Sequence, residues 1–203
     1  MIYSGASAER RLKQLGLDVP GIHDALLFGA AEAATYTDFD PSGASEMARW
    51  SRHVRRVSEI WVPQGWQRIA PDGQPTIVHP GNKWSLVVSS GNGATGVAWA
   101  RPTTNNPKGR TIREAVQGNA ELALYQPQDI EPVLEGLRET WMLLTYVNMN
   151  GEIQSEVSLP SEMPGVFITD WTHRILIPNI NPDSFPGYRS EEPPSYDFAV
   201  VRR

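Results

Sequence analysis

Cysteine is absent from the 203 residues, which excludes disulfides, thiolate metal sites and cysteine nucleophiles together. Long apolar runs are absent too, since no uninterrupted stretch approaches the ~18 residues needed to cross a bilayer. The opening MIYSGASAERRLKQLG lacks the apolar stretch of a secretory signal. A cytoplasmic protein with no membrane attachment is the expectation. Histidine is scarce: His23, His53, His79 and His173 are scattered and form no H-x-x-x-H or H-E-x-x-H pattern. No metal site and no cofactor are expected, because ligation needs several donors converging. There is no G-x-S-x-G elbow for a serine hydrolase, no internal repeat and no low-complexity tract.

What is present fits one domain over residues 1–203. Residues 1–60 read as helical. GIHDALLFGAAEAATY, residues 21–36, is Ala-rich and apolar enough for a largely buried helix. DFDPSGAS then breaks it, and EMARWSRHVRRVSEIW places Met47, Trp50, Val54, Val57 and Trp61 at spacings of three and four, the pattern of an amphipathic helix. The opposite side of that helix carries Arg49, Arg52, Arg55 and Arg56, a basic face suited to phosphate and equally to plain solvation.

Residues 61–178 change period. PTIVH and KWSLVV read as adjacent strands of a meander between turn signals. TWMLLTYVNMNGEIQSEVSLP reads as a hairpin turning at Asn150-Gly151 in a type I′ turn, with Gln154, Glu156 and Ser158 on a wet face. VFITDWTHRILIP supplies a further strand. Thr111 and Glu114 fit a capping box opening a helix over IREAVQGNAELAL, and DIEPVLEGLRE suits another short helix. Residues 179–203 read as an irregular, Pro-rich arm. The expected fold class is α+β, with the N-terminal helices packed on a mainly antiparallel sheet.

Residues 91–96, GNGATG, match G-x-G-x-x-G. A dinucleotide site needs a helix to begin at once, so that its N-terminus faces the pyrophosphate. The following VAWARPTTNNPKG has no helical period and carries Pro102 and Pro107. A P-loop fails as well, because Val97 and Ala98 stand where Lys and Ser/Thr are required. A glycine-rich loop between strands is the plain reading. PKGRT places Lys108 and Arg110 just before the expected helix, beside its positive dipole end. If the loop folds back on that helix start, Ser90, Asn92, Thr95, Thr103, Thr104 and Thr111 add donors for an anion. A capped helix with ordinary basic flanks is the competing account. Asp170 and His173 face opposite sides of a strand and suit structure more than acid–base chemistry. Most of the seven tryptophans sit in apolar company, and Trp99, beside Arg101, is expected to cover the core.

Net charge is −5 overall. Residues 1–110 hold 12 Lys+Arg against 9 Asp+Glu, and residues 111–203 hold 6 against 14. A basic and an acidic face would give this split, though uneven statistics on a solvated surface is the simpler account. The G-W turn, the VVSSGNGATG loop, the PKGRT helix start and the closing WTHRILIP strand resemble a group of small bacterial proteins with no assigned activity. The resemblance spans roughly residues 60–178 and implies a bacterial, accessory-genome origin. Asn92 stands where the resembled proteins more often carry Asp. Two functions remain in view: a non-enzymatic module binding a partner protein or nucleic acid through residues 89–111 and nearby basic side chains, or an enzyme acting on a phosphorylated or nucleic-acid substrate with that loop as its phosphate-binding pocket.

Overall fold

The computed structural model describes residues 1–124 and 138–185. The expected helix over DIEPVLEGLRE, apart from Arg138 and Glu139, and most of the C-terminal arm lie outside these residues; Glu139 begins a strand rather than ending a helix. Among the described residues four α-helices, α1 (Ala6–Gln14), α2 (Val19–Ala33), α3 (Ala44–Trp61) and α4 (Arg110–Leu122), accompany seven strands. The strands are β1 (Ile2–Tyr3), β2 (Gln67–Ile69), β3 (Thr76–Val78), β4 (Trp84–Ser90), β5 (Glu139–Val147), β6 (Ile153–Glu162) and β7 (Asp170–Ile180). All seven join one sheet in the order β1-β7-β6-β5-β4-β3-β2. The fold is α+β, and the sheet is mainly antiparallel, with parallel pairs β4–β5 and β1–β7. No helix among the described residues is long and apolar enough to cross a membrane.

Strand alternation sorts the core into two layers. Leu86, Val88, Trp141, Leu143, Val157 and Ile175 pack with Leu12, Ile22, Leu26, Val57 and Trp61 of the N-terminal helices. The intervening Val87, Met142 and Leu144 pack with Ile112 and Val116 of α4, together with Ile168. Both faces of the central strands are therefore covered, which is why LVV and WMLL run apolar without alternation. The wet face expected for β6 is absent: Glu156 and Ser158 are buried, because α4 and the chain before it cover that side. Two buried apolar side chains on α4 contribute about 1.5–3 kcal/mol each. Asn119 anchors the helix further, its Nδ2 donating to the carbonyls of Thr140 and Pro160 at 3.0 Å and its Oδ1 accepting from the Thr140 amide at 2.8 Å.

Local structure departs from the sequence expectation at two turns. The β5–β6 connection is a five-residue loop, residues 148–152, organised by Asn148, whose Oδ1 accepts from the amides of Asn150 and Glu152. Gly151 alone takes positive φ there, at 79°, so the type I′ turn, which needs positive φ at both central residues, is not formed. The capping box is also absent. Gly109 is the N-cap of α4, without a side-chain cap. Thr111 lies inside the helix and donates to Asp72 Oδ2 at 3.0 Å, a partner brought from the β2–β3 segment that the local sequence cannot reveal.

α2 and α3 approach closely at Gly29. A Cβ built there would stand 2.1 Å from His53 Cδ2 and 2.7 Å from the Arg49 carbonyl oxygen. The glycine thus admits the buried imidazole, whose Nε2–H donates to the Leu26 carbonyl at 3.2 Å.

Candidate functional site: a cleft at the open edge of β4

The glycine-rich segment follows β4, and β4 runs parallel to β5 with α4 between them. This is a βαβ crossover, whereas the sequence pointed only to a hairpin. The helix starts at Arg110, far past the glycines, so the dinucleotide geometry fails as Pro102 and Pro107 implied.

The intervening loop is tied down along its length. Gly91 pairs with Thr104 as an isolated bridge, the Asn92 amide donates to the Thr103 carbonyl, and Asn105 returns to the Ser90 carbonyl. Its middle is held by an ion pair that the sequence reading missed. Arg174 of β7 donates to Glu156 of β6 through Nε at 2.9 Å and Nη2 at 2.5 Å. The same guanidinium donates to the carbonyls of Ala100 at 2.6 Å and Val97 at 3.1 Å. Glu156 accepts in turn from the Gly96 amide at 2.8 Å and the Ser158 hydroxyl at 2.7 Å. Gly96 holds φ 74° at this contact, a conformation glycine adopts at little cost. The clue was Glu156 itself, an acid in the middle of an otherwise buried strand.

Most donors expected to hold an anion are occupied with this framework. Asn92 Nδ2 donates to Thr103 Oγ1, while its Oδ1 accepts from Ala94 and Thr103 amides. Thr104 Oγ1 accepts from the Ile168 amide. Thr95 is the exception: it is fully buried beneath Gly91, where a Cβ would stand 2.1 Å from its Oγ1, and its hydroxyl has no hydrogen-bond partner among the described residues. Arg110 turns outward to Asp72 at 3.2 Å and Glu114 at 3.6 Å. Trp99 does not cover the core; it is 92% exposed at the loop's outer turn.

The basic face of α3 is likewise taken up. Arg52 pairs with Glu32 at 3.0 Å, Arg55 with Glu59 at 2.7 Å, and Arg56 with Asp24 at 2.8 Å and Glu59 at 3.2 Å. A continuous phosphate-ready stripe is not formed, because acids on α2 and on α3 itself meet those arginines. Arg49, one turn nearer the helix start, is the exception.

Arg49 and Lys108 line one cleft of about 910 Å³. It exists because β3 meets β4 only at Ser85 and Leu86, leaving the outer edge of β4 without a strand partner beyond Leu86. Trp50 Nε1 donates to the Val88 carbonyl on that edge at 3.1 Å. The cleft is bounded by Glu46, Met47 and Trp50 of α3, by Ser89 and Ser90 of β4, and by Thr145 and Tyr146 of β5. It therefore opens at the carboxyl ends of two parallel strands, where α/β sheets commonly receive ligands. Of the residues expected to hold an anion, only Ser90 and Lys108 share it with Arg49.

Neither cation has an ion-pair partner among the described residues. Arg49 Nε is buried without a hydrogen-bond acceptor, and desolvation by burial lowers the guanidinium's pKa, opposed by the nearby Glu46 charge. Burial pulls Lys108 down to about 8; the apolar Val87, Ile112 and Met142 line the same cleft. His53 forms part of the cleft wall, its pKa pulled by burial to about 4, and its Nδ1 is buried without a partner. No group of three or more His, Asp or Glu suited to a metal occurs among the described residues.

Asp170 and His173 stand apart as expected: Asp170 pairs with Arg101 at 3.4 Å, whereas His173 meets the Tyr3 hydroxyl and stacks between Tyr3 and Trp141. Compared with protein-family models, curated proteins and solved structures, the chain matches none.

Proposed function

We propose that the protein binds a small phosphate- or carboxylate-bearing ligand in the cleft at the β4 edge, with Arg49 and Lys108 as its charge partners. The observation that carries this reading is the pair of partly desolvated cations in one cleft, neither ion-paired among the described residues although Glu46 lines the same cleft, on a protein whose other α3 arginines are all paired. A buried charge is costly unless something compensates it, and an anionic ligand supplies the missing partner. Ser89, Ser90 and Thr145 offer hydroxyls, and Trp50 and Tyr146 offer ring surface for the rest of the ligand. A nucleic-acid partner is the weaker reading, because the arginines a phosphate track would use are engaged with Glu32, Asp24 and Glu59.

Thermal denaturation with inorganic phosphate and phenyl phosphate tests this. A ligand at 100 times its Kd stabilises by about 2.7 kcal/mol, and at ~2–4 °C per kcal/mol for a domain of this size the melting temperature rises by roughly 5–11 °C. Arg49→Ala abolishes the rise, while Arg55→Ala leaves it intact. An equal loss in both variants, or no rise in the wild type, overturns the reading.

A further inference from the structure

The chain has only three lysines, Lys13, Lys83 and Lys108, among 18 basic residues. Arginine fills nearly every other cationic position, including all the ion pairs of α3. At the cleft, however, the cation contributed by the chain before α4 is a primary amine. Lysine differs from arginine in one chemical respect that matters here: its amine can lose a proton and attack a carbonyl.

Building on the anion-binding reading, we infer that Lys108 forms an imine with an aldehyde or ketone that also carries a phosphate or carboxylate, the anionic group resting on Arg49. The observations are geometric. The Lys108 side chain is half-buried, has no carboxylate within ion-pair distance among the described residues, and shares a cleft of about 910 Å³ with Arg49. Its backbone is fixed, the amide donating to the Val166 carbonyl at 2.7 Å, with Gly109 as the α4 N-cap immediately after it. The side chain therefore leaves a rigid point and reaches a space large enough for a small organic ligand. Desolvation assists: an amine with pKa about 8 is about one-quarter neutral at pH 7.5, against about one part in a thousand for an ordinary lysine. The charged and titratable groups lining the cleft with it are Arg49 and Glu46 of α3, buried His53 and Tyr146 of β5.

The step balances without a further reactant. The neutral amine nitrogen attacks the carbonyl carbon and forms a C–N bond. One amine proton passes to the former carbonyl oxygen to give a neutral carbinolamine, which then loses its hydroxyl together with the remaining N–H proton as water while the C=N bond forms. Net, amine and carbonyl give imine and water. Binding of the anionic group beforehand makes the attack effectively unimolecular.

Pyridoxal 5′-phosphate serves as the probe, an aromatic phosphorylated aldehyde, with pyridoxine 5′-phosphate as the matched compound lacking the carbonyl. The wild-type protein is incubated with the aldehyde, fixed with sodium borohydride and peptide-mapped. The expected adduct lies on Lys108 at least ~10-fold above Lys13 and Lys83, and any adduct on the Met1 amine is unchanged in Arg49→Ala. The Lys108 adduct falls more than tenfold in Arg49→Ala and disappears in Lys108→Arg, which keeps the charge. Labelling spread over the amines according to exposure overturns the imine, as does an adduct insensitive to Arg49. If pyridoxine 5′-phosphate raises the melting temperature through Arg49 while no Lys108 adduct forms, the imine fails and the anion site stands. If neither occurs, both fail.

Discussion

Glu156→Gln is the perturbation that best probes how the β4 loop is built. The substitution keeps shape but removes the charge that Arg174, the Gly96 amide and the Ser158 hydroxyl all converge on. Breaking a buried pair by removing one partner costs about 3–5 kcal/mol. At ~2–4 °C per kcal/mol the melting temperature falls by roughly 6–20 °C. The loss is also local, since Arg174 holds the Ala100 and Val97 carbonyls and Glu156 holds Gly96. Chymotrypsin cleavage after the exposed Trp99 therefore accelerates more than cleavage elsewhere. A second variant, Glu156→Leu with Arg174→Met, separates charge from anchoring. In some proteins such apolar replacement of a buried ion pair is neutral or stabilising. Here it orphans the Gly96 amide, the Ala100 carbonyl and the Ser158 hydroxyl, each costing about 1–3 kcal/mol where water does not reach it, and leaves the Val97 carbonyl only its 3.3 Å bond from the Ala100 amide. The double variant should melt well below the wild type and keep the Trp99 site open. If it melts within ~2 °C of the wild type with Trp99 protected, the ion pair is not what holds the loop.

Other consequences follow from the same geometry. His53 has its pKa lowered to about 4, so the unfolded chain binds the extra proton first. Its contribution to stability is complete above pH ~6.5 and declines as pH falls toward 4, by roughly 3 kcal/mol in total; urea denaturation across that range should flatten in His53→Asn. The other histidines are lowered in the same direction, so some slope persists. Gly29→Ala forces its Cβ against His53 and the Arg49 carbonyl and should cost at least ~1–3 kcal/mol, read as a lowered urea midpoint with the m-value unchanged. Asn119→Ala leaves three buried backbone groups of Thr140 and Pro160 unpaired and should destabilise by about 2 kcal/mol or more; a loss under ~0.5 kcal/mol in equilibrium denaturation would show that water replaces the amide.

Periodic elements were legible in the chain. The stripe Trp50, Val54, Val57, Trp61 marked α3, and the short apolar runs PTIVH and KWSLVV between turn signals marked the β3–β4 hairpin. The failure of the glycine string as a dinucleotide turn was legible too, because helix-breaking prolines follow it. What misled were residues whose partners come from far along the chain. Glu156 alternates with apolar neighbours and so looked solvated, until α4 and the loop before it cover that face and Arg174 meets it. Thr111 and Glu114 have the spacing of a capping box, yet Asp72 claims the threonine hydroxyl. Arg49, Arg52, Arg55 and Arg56 are alike in sequence and unlike in the fold.

The sequence by itself determined the α+β class, the elements with strong period and the exclusion of thiol chemistry, because hydrophobic period and residue type are local properties. Only the tertiary structure decided where the candidate site lies. Arginine and lysine side chains become site groups or structural groups according to which carboxylates reach them, and those carboxylates stand on other elements. Arg52 meets Glu32 and Arg56 meets Asp24 across the α2–α3 contact. Arg49 and Lys108 line one cleft at the edge that β3 leaves open, with no acid ion-paired to either among the described residues.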